Sequence, residues 1–173
     1  HHCASITMIE SPEHLNQAFH SARSGEPADP PIIEAIIPST MDPDLTEESG
    51  HHVMSLLCKY MPYKLNNERS WDVEKSNVVD RILNYVEYFI PRIRDQVVAY
   101  QCMTPLDLER VLGMTKGDIC HGRLEPDQSF NMRPHPDAAQ YSIPVKVLYL
   151  CGSGTHPGGG VTGAPGYNAA RRI

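Results

Sequence analysis

Apolar positions recur along the chain with two different periods, and the switches between them lay out the elements. Cys3 to Ile9 alternates as a strand does, and Ser11-Pro12-Glu13 then offers an N-cap, a proline at the first helical position and an early acid. The helix that this opens carries Leu15, Ala18, Phe19 and Ala22 at helical spacing on one face, with Gly25 to end it. After a Pro-rich loop from Gly25 to Pro31, Ile32-Ile33-Glu34-Ala35-Ile36-Ile37 has the composition of a second strand, closed by Pro38. A third strand is predicted within His51–Met61, where Val53, Met54, Leu56 and Leu57 cluster, and it could pair with the second. From Asp72 to Ile90, Val79, Ile82, Leu83, Val86, Phe89 and Ile90 trace one broad helical face that Pro91 terminates. Gln96 to Met103 returns to a strand-like run, and Thr104 caps a short helix with Pro105 first, Asp107 third and Gly113 at its end.

The last stretch is the most distinctive. Val147-Leu148-Tyr149-Leu150-Cys151 is long enough for a buried strand and too short for a helix. The side chains then shrink: six glycines lie between Gly152 and Gly163, uncovering backbone N–H groups and permitting positive φ. Pro165 fits only the first turn of a helix, so a helix is expected to open at about Gly160 to Gly163. Donors presented in this way favour a phosphate or the electron-rich edge of a flavin. Gly158 to Gly163 is a literal G-x-G-x-x-G, but it does not follow its strand directly and no acidic residue comes after it, so the dinucleotide fingerprint does not apply. Strands and helices alternate without a repeating βαβ unit, which predicts an α+β fold with a mixed sheet and packed helices.

Composition narrows the classes. The 173 residues have the size of one domain and 40% of them are hydrophobic, enough for a core. A net charge of -6 excludes a basic face built for nucleic acid, leaving small molecules or proteins as partners. The five cysteines are odd in number and form no C-x-x-C, so neither a disulfide framework nor a zinc site is predicted and a reducing compartment fits. No apolar run approaches the roughly 18 residues of a membrane span, and the first residues are no signal peptide. Asp42-Pro43-Asp44 with Glu47-Glu48 is a solvated acidic loop without recurring ligand spacing, so no metal is expected. His1-His2 enters no site argument, since the pair has the form of a tag remnant. Ser153 has adjacent glycines instead of glycines at two removes, so it does not form a nucleophile elbow and a hydrolase is disfavoured.

Leu148-Tyr149-Leu150-Cys151-Gly152-Ser153-Gly154-Thr155-His156-Pro157-Gly158-Gly159-Gly160-Val161 resembles the C-terminal flavin-contacting segment of phytoene-desaturase-like FAD-dependent oxidoreductases, in particular the branch that contains pyridine nucleotide-disulphide oxidoreductase domain-containing protein 2. Tyr60-Met61-Pro62-Tyr63, Thr104 to Arg110, Asp127-Gln128 and Met132-Arg133-Pro134 fit the same branch, so the similarity covers most of the chain. The resemblance implies a substrate domain over residues 1–146, followed at 147–173 by a strand, Gly-rich turn and helix that belong to the FAD-binding half. The strand and G-x-G-x-x-G turn that hold the ADP half in that family have no counterpart at the start of this sequence, which then looks like the C-terminal third of such an enzyme. It implies FAD as cofactor, with little FAD held by this piece alone, and cofactor contacts from Gly152, Ser153, Gly154, Thr155, His156, Gly158, Gly159, Gly160 and Val161.

Further expectations follow from the same resemblance. His121, in a His-Gly of the loop brought toward the flavin, is the candidate acid or base; a plain backbone-bonded histidine is the alternative. Met54, Met61, Tyr60 and Tyr63 either line an apolar substrate tunnel or pack the core. Arg133 either anchors an acidic substrate group or pairs with Asp127 or Glu125. The implied partner is a small, apolar substrate, with self-association through the surface facing the missing domain, in the cytoplasm or the mitochondrial matrix. The competing reading is a stand-alone binding or protein-interaction module without catalysis.

Overall fold

The computed structural model describes residues 5–47 and 50–173, so Cys3 in the first predicted strand and Glu48 in the acidic loop lie outside the described residues. The chain forms two compact units, one reaching to Asp107 and one from Leu108 onward.

The first unit holds a three-stranded sheet in the order β1-β2-β3, with β1 at Ile6–Met8, β2 at Ile32–Ile36 and β3 at Ser55–Lys59. Both pairings are antiparallel, correcting the expected mixed sheet: Ile33 faces Met8 on one side and Cys58 on the other. Glu34 of β2 meets Lys59 of β3 at 2.5 Å. Helix α1, Pro12–Arg23, joins β1 to β2, and Ser11 caps it by accepting a hydrogen bond from the His14 backbone at 3.2 Å. Gly25 follows the helix at φ +82°, a conformation that suits glycine.

The buried face of α1 is not the predicted one. His14 and Ala18 are buried, while Leu15 and Phe19 are exposed. His14 is tied down on both ring nitrogens: Nδ1 accepts from the Glu10 backbone at 3.3 Å, which leaves Nε2 to donate to the Pro30 carbonyl at 2.9 Å. A hydrogen-bonded imidazole thus takes a core position that an apolar count passes over.

Helix α2, Trp71–Phe89, lays Trp71, Val78, Ile82, Tyr85 and Val86 on the sheet face formed by Met8, Ile33 and Ala35. Its Trp71 indole donates to the Pro62 carbonyl at 2.9 Å, satisfying the one polar group of the largest core side chain. Relative to the predicted face, Phe89 turns outward and Tyr85 inward. On the other side of β2, Ile32 packs with Ala18 and Ala28 under Tyr60, so the central strand is covered on both faces.

After α3, Ile93–Gln96, the predicted strand from Gln96 to Met103 is absent. Val98 is 84% exposed and no strand pairs with this stretch among the described residues. Strand-forming composition without a partner ladder yields only extended backbone. Helix α4, Pro105–Leu112, is capped as expected by Thr104.

The second unit is built from turns and single-turn 3-10 segments, with one further helix, α5 at Ala164–Ala170. The predicted strand Val147–Cys151 does not form. Val147 sits at φ +57° and is 93% exposed, inside a turn closed by the Leu148 N–H on the Val145 carbonyl at 3.3 Å. On either side of that turn only one bridge pair forms, Ser142 with Tyr149, reinforced by Leu150 N–H on Tyr141 O at 2.7 Å.

Candidate cofactor-facing turn

The glycine turn starts where Thr155 folds back on Gly152. The Thr155 N–H and its Oγ1 both donate to the Gly152 carbonyl, at 3.0 and 2.8 Å, and the buried Thr155 carbonyl then accepts from the Gly158 N–H at 2.7 Å. These two linked turns run 152–155 and 155–158. Gly158 at φ +105° and Gly160 at φ +107° adopt backbone that side chains rarely tolerate, which is why the segment needs glycine there. Helix α5 opens directly behind, with Gly163 as its N-cap at φ +70° and Pro165 in its first turn.

Two buried side chains hold this loop. Tyr141 donates from its hydroxyl to the His156 carbonyl at 2.9 Å and accepts from Asn168 of α5 at 2.9 Å, so one phenol ties the turn to the helix behind it. Arg133, 2% exposed, spreads its guanidinium over backbone carbonyls: Nη2 reaches Cys120 at 2.5 Å, His121 at 3.4 Å and Ser153 at 3.3 Å, and Nη1 reaches Arg123 at 3.3 Å. The ion pair expected of Arg133 with Asp127 or Glu125 is not formed. Glu125 and Asp127 pair with Arg123 instead, and Arg133 has no carboxylate partner among the described residues. Its Nε faces Gly158, 3.9 Å from where a Cβ there would stand.

The loop carrying His121 is shaped by Asp118, whose carboxylate accepts from the Cys120 and Gly122 backbones at 2.8 Å each. His121 takes φ +53° and its Cβ lies 3.8 Å from the side-chain direction of Gly154. The structure therefore brings His121 to the glycine turn, although the two lie far apart in sequence. His156 lies against Phe130, ring centroids 6.0 Å apart.

On the outer side the residues are open. Gly159, Gly160 and Val161 are exposed, and among the described residues their backbone N–H groups have no protein acceptor. Ser153, Gly154 and His156 are half-buried, Thr155 and Gly158 buried, and Gly152 exposed. Hence Gly152, Gly159, Gly160 and Val161 face outward most, while Thr155 and Gly158 support them from within. These unpartnered N–H groups belong to the loop and not to α5, which is two turns long.

Tyr60, Met54, Met61 and Tyr63 fall in the first unit, where Met61 packs on the main core cluster and Tyr60 on the smaller one. That is the packing alternative. Cys58 and Cys102, also in this unit, are thiols made less acidic, Cys58 being pushed up to about 12 chiefly by burial. Among the described residues no cluster of His, Cys, Asp or Glu could hold a metal ion, and no helix is long and apolar enough to cross a membrane. Sequence reasoning missed Asp118, Tyr141 and Asn168. For Asp118 the signal existed in the Asp-x-x-His-Gly spacing of a side-chain-capped turn.

Comparison with known proteins leads first to a class: relatives of this chain include proteins named as an oxidoreductase, a desaturase and a dehydrogenase. The chain is 43% identical over 174 residues to pyridine nucleotide-disulfide oxidoreductase domain-containing protein 2 of Rattus norvegicus, covering 100% of this chain and 30% of that protein. The protein of the same name from Mus musculus matches equally, and a lycopene-forming phytoene desaturase of Pantoea ananas is 35% identical over 97 residues, 56% of this chain and 19% of that enzyme. The resemblance seen in the motifs thus holds along the whole chain, which is related to pyridine nucleotide-disulfide oxidoreductase domain-containing protein 2 and, over a shorter stretch, to phytoene desaturases. It spans about 30% of the length of the first two relatives. No family model matches the chain, and no solved structure does.

Proposed function

We propose that the chain supplies the flavin-facing part of an FAD-dependent oxidoreductase that takes hydride from a small, apolar substrate. The observation that carries this reading is the exposed run Gly159, Gly160 and Val161, whose backbone N–H groups have no protein acceptor among the described residues, on a loop held by Arg133, Tyr141 and Thr155. FAD, when bound, accepts the hydride.

The residues of the chain bind, orient and shield. Fixed N–H donors suit electron-rich carbonyl and ring-nitrogen acceptors, and because the loop is already held they stabilise negative charge gathering there without reorganising. Gly158 and Gly160, at positive φ, leave the backbone bare of side chains at those two positions. His121, whose Cβ lies close to Gly154, is the residue we assign to hold or pass a proton beside that edge. Exposed Leu124, Phe130 and Val161 surround the turn with apolar surface suited to exclude water once covered. Only the contact with the flavin ring is assigned to these residues.

The test uses a full-length protein carrying this sequence. Around Gly160 only Thr162 Cγ2 stands near a built Cβ, at 3.8 Å, so Gly160→Val meets no crowding inside the chain; its cost comes from φ +107° and from a side chain projecting over the donors. Flavin affinity should fall roughly a hundredfold. Arg172→Ala, whose side chain bonds to Gln140 at 3.0 Å, should retain parental occupancy. Equal flavin absorbance in parent and both variants would remove the turn from the cofactor site.

A further inference from the structure

We infer that Arg133 is the positioning residue that holds His121 over the glycine turn. Three carbonyls of one short loop, those of Cys120, His121 and Arg123, and one carbonyl of the turn, that of Ser153, converge on a single guanidinium that is 2% exposed. A planar group with several fixed donors can gather carbonyls arriving from two segments, whereas an ammonium is a compact charge without that fork. Among the described residues the charge is met by carbonyl dipoles, so its place inside the unit is specified by geometry and not by a carboxylate.

The consequence reaches the site directly. Asp118 shapes the 118–122 loop from within, but none of its bonds touches the glycine turn. Arg133 provides the hydrogen bonds that link that loop to Ser153, one residue before the Gly154 against which His121 lies. Its Nε, without a partner among the described residues, lies against Gly158 and leaves the guanidinium flush with the inner side of the turn. Tyr141 anchors the same turn at His156 and, among the described residues, its hydroxyl bonds to His156 and Asn168 and not to the His121 loop. The two anchors therefore act on different features: Arg133 sets where His121 sits, and Tyr141 sets where α5 sits. The functional weight of this inference rests on the proposed flavin-facing role of the turn, while its structural content does not.

The experiment is nuclear magnetic resonance on the isotope-labelled 173-residue chain without added flavin. The expected result in the parent is a cross-peak between the His121 Cβ hydrogens and the Gly154 Cα hydrogens, together with separate, slowly exchanging Nη signals for Arg133. Arg133→Lys should abolish the cross-peak and move the His121 ring resonances while signals from residues 5–107 stay in place. Tyr141→Phe should keep the cross-peak, which a merely structural effect of loosening the turn would not. Persistence of the cross-peak in Arg133→Lys, or averaged Nη signals in the parent, would overturn the inference. The parental Nη signals decide the matter even if the lysine variant does not fold. The flavin reading fails separately, through unchanged flavin occupancy in Gly160→Val, and leaves these signals untouched.

Discussion

Arg133 and Asp107 show how a charged residue's partner decides its role. Asp107 accepts three hydrogen bonds at 2.9 Å on one oxygen, from the Thr104 backbone, the Thr104 hydroxyl and Lys75. The backbone bond, then the lysine, hold its carboxyl down at about 2 against an ordinary 3.8, and Lys75 is correspondingly raised. A depressed folded-state value means that this group stabilises the fold above the unfolded value and loses that contribution as pH falls from about 4 toward about 2. Asp107→Asn should therefore cost about 1 kcal/mol at neutral pH, a loss typical of a helix cap, and the gap to the parent should close between those limits. Urea denaturation of both proteins across that range checks it; a constant gap would mean that the carboxylate charge contributes nothing. The Thr-x-x-Asp spacing made this cap legible in the sequence, because capping is a local interaction. Arg133 was not legible in the same way. Its partners are carbonyls from two separate segments, and a carbonyl leaves no mark on residue identity.

Elements were legible where periodicity and punctuation agreed. The caps of α1 and α4, the stop of α2 and the apolar run of β2 coincide with their observed places because Ser11, Thr104 and Pro91 act within a turn of themselves. The runs 96–103 and 147–151 look just as strand-like, yet a strand exists only through a neighbour, which a one-dimensional pattern does not contain. The glycine turn and the helix behind it were legible, whereas the loop that joins them to His121 was not. The contrast between a paired and an unpaired run is measurable. Ile33, 0% exposed in the middle of β2, should cost roughly 2–5 kcal/mol as Ile33→Ala through lost burial and the cavity left behind. Val98, 84% exposed in the unpaired run, should change stability by no more than about 0.5 kcal/mol as Val98→Ala. Denaturant midpoints of the two variants check this, and similar losses would show that 96–103 is packed in solution.

The two units are held together by different physics, and this bears on how the whole molecule opens. Every residue of the two apolar clusters belongs to the first unit, where β2 is buried on both faces. The second unit buries Arg133, Thr155 and Tyr141 beside alanines, Pro165 and Gly158, and its interior is joined by hydrogen bonds to backbone carbonyls. A typical hydrogen bond nets about 1 kcal/mol, while a fully buried large aliphatic side chain contributes roughly 1.5–3 kcal/mol, so a hub-and-carbonyl unit has less to lose before it opens. A loop that must receive a ligand belongs at this less stable end of a structure. Native-state hydrogen exchange should accordingly separate the units. The amides of Ile33 and Val86 should exchange only with global unfolding, whereas those of Leu150 and Gly158, hydrogen-bonded at 2.7 Å each, should exchange through a local opening of lower free energy. Arg133→Lys should lower protection at Leu150 and Gly158 and leave Ile33 and Val86 unchanged, because the guanidinium's carbonyl partners all lie in the second unit. Equal protection across the four amides in the parent would show that the chain opens as one cooperative block and that the glycine turn is no looser than the sheet.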